Sequence, residues 1–191
     1  GAVTNGKNLA LGNYALETLT SGGDNIAIGY EAGELLSTGS ANVFIGTKTA
    51  DVVTGGSNSV IIGASAGGAG DFGNSNTLVG HSSGIVMTGA GNIGSGYNSF
   101  PALTSGDNNI GIGYQGGATL TTGDKNIMIG YASRVHTNSN SNNVIIGGAY
   151  PAASGNDQLV ISSGDGSPVW ITGDSAGKVT MNSVSPAAYN T

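Results

Sequence analysis

Three observations predict an all-β fold of the parallel β-solenoid type, a β-roll or β-helix of nine coils of about 17 residues each. A phrase made of Asn, three mostly apolar residues and Gly recurs through residues 8 to 147. It closes at Gly12, Gly29, Gly46, Gly63, Gly80, Gly96, Gly113, Gly130 and Gly147, a step of 17 residues seven times and 16 once. The apolar residues of the phrase are largely β-branched and alternate with period two, as in a strand. Gly closes every phrase, so no 3.6-residue apolar stripe long enough for a helix survives. In a stack of this kind each repeat is one coil that buries its apolar side only against its neighbours.

Composition excludes several classes. Of 191 residues 36 are Gly and only 8% are charged, against about a quarter in ordinary globular domains. The 38% of hydrophobic residues stand in register, which a disordered linker lacks. A net charge of −6 with five basic residues argues against nucleic acid, whose phosphates need a Lys/Arg stripe. No apolar run approaches 18 residues, so no membrane insertion is expected. There is no Cys, and His81 and His136 stand apart, which removes thiolate and histidine-cluster metal sites. No nucleophile elbow, phosphate loop or zinc signature is present; pairs such as Gly94 and Gly96 are products of the repeat. The expectation is a protein that is not an enzyme and uses no cofactor.

Along the chain, four residues before each closing Gly stands Asn8, Asn25, Asn42, Asn76, Asn92, Asn109, Asn126 or Asn143, with Ser59 as the exception. These amides are expected to hydrogen-bond from coil to coil. The residues that follow, such as Ile26 and Ile28, Val43 and Ile45, Val60 and Ile62, are read as the inward positions of the strand. About seven residues past each closing Gly lies a second apolar position (Leu19, Leu36, Val53, Met87, Leu103, Leu120) followed by Thr-Gly or Thr-Ser-Gly, read as a return strand and its exit bend. The residue between the inward pair is also apolar in many coils: Phe44, Ile61, Leu78, Met128 and Ile145. A strand apolar on both faces needs cover on both. The expectation is a parallel homotrimer with this row as the trimer interface. Residues 148 to 191 break the period and carry three strand-like runs, Leu159 to Ile161, Val169 to Thr172 and Val179 to Met181. They are expected to form a small C-terminal β cap, distinct from the solenoid domain of residues 1 to 147.

Equivalent residues of successive coils stack at about 4.8 Å, so columns are candidate sites. One residue past the closing Gly come Tyr30, His81, Tyr97, Tyr114 and Tyr131. Tyr97, Tyr114 and Tyr131 are the candidate ligand-binding strip, because each offers a sugar ring an apolar face and a hydroxyl; stacking that merely stiffens the turn is the alternative. Glu17, Glu34 and Asp51 share one column and would repel unless a hard cation such as Ca²⁺ lay between them or they splayed into solvent. Asp24, Asp107 and Asp124 sit in turns, where Asx-turn bonding is expected.

The phrases "GNYALETLTSGGDNIAIGYEAG", "NVFIGTKTA" and "NIGIGYQGGATLTTGDKNIMIGYAS" resemble the Gly/Asn-rich repeats of bacteriophage tail fibres, in the region that precedes an endosialidase-type intramolecular chaperone domain. The same beat is similar to the head repeats of trimeric autotransporter adhesins, which run at a shorter period. The resemblance covers residues 8 to 147. It implies a virion-borne, extracellular, non-enzymatic homotrimeric shaft that binds a host surface glycan or outer-membrane receptor. It also implies that the chaperone is absent from this chain and that more fibre precedes it. A cellular adhesin head and a polysaccharide-degrading tailspike are the alternatives.

Overall fold

The computed structural model describes residues 6–148 and 155–181. These residues hold twelve strands: β1 (Leu9–Leu11), β2 (Ile26–Ile28), β3 (Val43–Ile45), β4 (Val60–Ile62), β5 (Thr77–Val79), β6 (Ile93–Ser95), β7 (Ile110–Ile112), β8 (Ile127–Ile129), β9 (Val144–Ile146), β10 (Leu159–Ser162), β11 (Val169–Gly173) and β12 (Val179–Met181). All lie in one sheet in chain order. From β1 to β9 each strand pairs in parallel with the next at the repeat step, so the chain is an all-β solenoid of about nine coils. Strand β10 continues the parallel sheet, pairing Val160 with Ile145, and β11 and β12 then add as an antiparallel meander. No helix is present among the described residues.

The direction of the strand side chains is opposite to the sequence expectation. Ala27, Phe44, Ile61, Leu78, Met128 and Ile145, the middle residues of their strands, are fully buried within the single chain. The flanking residues Ile26, Val60, Ile93, Ile112 and Ile146 are exposed. Phe44, Ile61, Leu78, Met128 and Ile145 are therefore the core of the coil and have no surface to offer a second subunit. The physical reason is the length of the strand. Three residues with period two place either one side chain or two inside, and the narrow lumen of a coil this short accepts the one.

The opposite wall of the coil is made of turns rather than a return strand. It still delivers apolar side chains inward, since Leu36, Val53, Met87, Leu103 and Leu120 are fully buried. The turns bend through left-handed residues at regular places. Glu31, Lys48, Ser65, Ser82, Asn98, Gln115 and Ala132, each two past the closing Gly, have φ between 47 and 56°. The closing glycines themselves are required twice over. Gly113 has φ +120°, and a Cβ on it would lie 2.5 Å from the carbonyl oxygen of Gly130 in the next coil.

Core volume is shared between neighbouring coils. Phe72 meets Phe44 edge to face at 6.3 Å in the coil where Gly70 replaces the usual Leu or Met. Phe100 fills the space left by Gly111 and Gly117, whose added Cβ atoms would lie 2.7 and 2.5 Å from its ring. Large residues thus sit where the adjacent rows carry glycine, which keeps the lumen densely packed. The 16-residue step falls in the turn after Met87, where Gly73 N–H approaches the carbonyls of both Thr88 and Gly89. The register of β5, β6 and β7 is unbroken across it.

Two polar ladders run the length of the stack. Asn42 N–H and Nδ2 both donate to Asn25 Oδ1 at 3.0 Å, and Asn42 Nδ2 donates to Gly56 O at 2.7 Å. The pattern repeats from Asn8 to Gln158, with Ser59 Oγ standing in where Asn is missing. The asparagines from Asn25 onward are fully buried, so each amide satisfies backbone that water cannot reach. In the second ladder Asp107 accepts from Ala90 N–H at 2.7 Å, and Asp124 accepts from Asp107 N–H at 2.8 Å. These two carboxylates reach the preceding coil rather than closing Asx turns.

Candidate functional site

The aromatic column forms at the turn just beyond the strand. His81, Tyr97, Tyr114 and Tyr131 stack face to face with centroid spacings of 5.3, 5.3 and 5.2 Å and interplanar angles of 8 to 9°. The parallel register of β5 to β8 sets this spacing, because the ring follows the closing Gly of every coil by one residue. The short step leaves the column undisturbed, its first spacing equal to the second. The rings lie at the surface, with Tyr97 52%, Tyr114 45% and Tyr131 64% exposed. The three tyrosines singled out from the sequence are therefore brought together, and His81 extends them by one rung. His81 Nδ1 lies 2.9 Å from Ser82 Oγ. In the early coils Tyr14 and Tyr30 meet edge-on at 5.9 Å and 78°, and Thr47 and Ala64 separate them from the stack.

The acidic column does not make a metal site. Glu17 is exposed and Glu34 partly buried. Among the described residues no three carboxylate or histidine groups converge to hold an ion. Asp51 turns toward Gly68, where its Oδ1 is buried without a hydrogen-bond partner. Burial first, and then its neighbours Glu31, Glu17 and Asp51, raise the Glu34 pKa; burial likewise raises that of Asp51. The nearest cation serves a residue that the sequence pattern did not mark. Lys48 Nζ pairs with Glu31 at 2.8 Å, and the Lys48 and Tyr30 hydrogen bonds hold the Glu31 pKa below its ordinary value. The regular threonines are engaged structurally: Thr104 Oγ1 donates to Thr121 O at 2.9 Å, and Thr121 Oγ1 to Asn138 O at 3.1 Å.

The outward face of the sheet is the largest feature that pattern reading misassigned. Two rows flank the middle residues of β1 to β9, which are buried from β2 onward, and these rows contain no charged residue. Only Thr77 and Ser95 interrupt a strip of Ile, Val and Leu roughly 40 Å long at the usual strand spacing. The chain matches no protein-family model, no curated protein and no solved structure.

Proposed function

We propose that this chain is a shaft segment of a phage tail fibre, a non-enzymatic, extracellular virion component that works as a parallel homotrimer and carries host-surface contacts along its length. The observation that supports the reading best is the uncharged strip outside β1 to β9. Scattered exposed apolar residues are ordinary on a protein surface, but a continuous strip of this length is the mark of an interface. Three parallel copies packed strip to strip would give each strand its second cover and shield the apolar surface from aggregation. The buried Asn ladder and the closing glycines suit a mechanical rod, because they fix every coil on the next. Threefold repetition would also convert a weak receptor contact into avidity. In this assembly β10 to β12 serve as the cap at one end of the stack.

Light scattering tests the assembly. The expected mass is three times the 18.6 kDa of the chain. Ile112→Asp, at the surface of one chain, is expected to dissociate the trimer while the isolated coil stays folded. Ile61→Asp buries a carboxylate in the lumen and is expected to unfold the coil itself. A soluble monomer indifferent to Ile112→Asp would remove the proposal.

A further inference from the structure

The aromatic column stops at Tyr131 for a structural reason. The equivalent position in the next coil is Gly148, and a Cβ there would lie 2.4 Å from the carbonyl oxygen of Gly164. No side chain fits at that position, so the rung after Tyr131 is missing. What remains is a recess of about 470 Å³, lined by Tyr131, Ala132, Arg134, Gly148, Gly164 and Asp165, within the size range of small-ligand sites. Its floor is an aromatic ring stacked on only one side among the described residues. Its rim carries one cationic and one anionic side chain. Asp165 is held in place by the hydroxyl of Ser163 and by Ser167 N–H at 3.2 Å, and these bonds keep its carboxyl ionised below the usual range.

We propose that this recess is a binding site for a single neutral pyranose sugar, which takes the place of the missing rung. A pyranose has a face of C–H bonds that lies on an aromatic ring and an edge of hydroxyls that both donate and accept. Asp165 accepts from such hydroxyls, and Arg134 donates to them. The opposite charges on the rim favour a neutral ligand over an anion, which Asp165 would repel, and over a cation, which Arg134 would repel. The site deepens the host-contact part of the reading above, but it lies on one chain. Its failure would appear in sugar titrations and that of the trimer in the mass.

The test is titration of the full chain with methyl pyranosides of glucose, galactose and mannose, followed by saturation-transfer NMR. A ligand of this size on one open subsite is expected to bind with a Kd on the order of 1 mM. Tyr131→Ala is expected to weaken binding about tenfold. Gly164→Leu fills the recess from a position where an added Cβ meets nothing within 4 Å, so it is expected to abolish binding with an unchanged melting temperature. Oligosaccharides ending in the preferred sugar separate the two sources of the ligand: binding at least as tight as the methyl glycoside assigns the site to a glycan end, and exclusion assigns it to a free monosaccharide. The proposal is overturned if no methyl pyranoside binds, or if binding survives Gly164→Leu. An equal loss on Tyr97→Ala and Tyr131→Ala would overturn it too, because the whole column and not its open end would then be the site.

Discussion

A buried Asn in the full pattern carries three jobs: its Oδ1 takes the backbone N–H and the amide of the next Asn, and its own amide satisfies the turn carbonyl 14 residues on. For Asn92 these contacts are Asn109 N–H at 2.9 Å, Asn109 Nδ2 at 3.1 Å and Gly106 O at 2.9 Å. Asn92→Ala leaves a buried N–H and a buried carbonyl unpaired, and should cost roughly 2 to 4 kcal/mol in denaturant unfolding. Ser59 is the weak rung. Its hydroxyl accepts Asn76 N–H at 3.1 Å, and Asn76 Nδ2 bends back to Gly73 O, the carbonyl that an Asn at position 59 would serve. Ser59→Asn is expected to stabilise the protein by about 1 kcal/mol; a melting temperature that falls would show that the pocket at this rung is too small for the amide. The recurrence of Asn made this ladder legible in the sequence, since a buried amide repeated at the coil period has few partners except its own copies. The Asp107 and Asp124 contacts were not legible, because an acidic residue in a turn bonds equally well within its own loop or to the coil before it.

At the scale of the strand, periodicity revealed the alternation but not its phase. Val43-Phe44-Ile45 is apolar throughout, so no polar residue marks the outside, and the pattern fits either orientation. The compensation between coils could have decided it. Phe100 beside Gly111 places volume where the middle row lacks it, which is a relation among rows rather than within one. The charged turns around β2 and β3 are another property of neighbouring coils. Glu34 and Asp51 hold their protons more tightly in the folded chain than in the unfolded one, so their protonation favours folding, and stability should rise as pH falls from neutral toward the carboxylate range. Glu31 acts in the opposite sense: its pairing with Lys48 is present at neutral pH and is lost as pH falls through a folded-state pKa lying below the usual 4.5. A thermal melt against pH should therefore pass through a maximum on the mildly acidic side, and Glu34→Gln should flatten the rise above it. A melting temperature that declines steadily from neutral pH would contradict these assignments.

For the whole molecule, the account depends on which side of each strand faces another chain. The solenoid and its coil count could be read from spacing, and the three strands after it from their own apolar runs; the outward strip could not, because it followed from the phase of the strand. Since the chain has no cysteine, single cysteines can report that geometry without background. In a parallel trimer packed strip to strip, equivalent positions of the three chains approach one another near the axis, whereas lumen positions stay enclosed in their own coil. The most direct measurement is oxidative cross-linking of Ile112→Cys beside Met128→Cys, read on a denaturing gel. The account predicts covalent dimers at Ile112→Cys and an unreactive, chain-enclosed thiol at Met128→Cys; cross-linking at Met128→Cys with none at Ile112→Cys would contradict it.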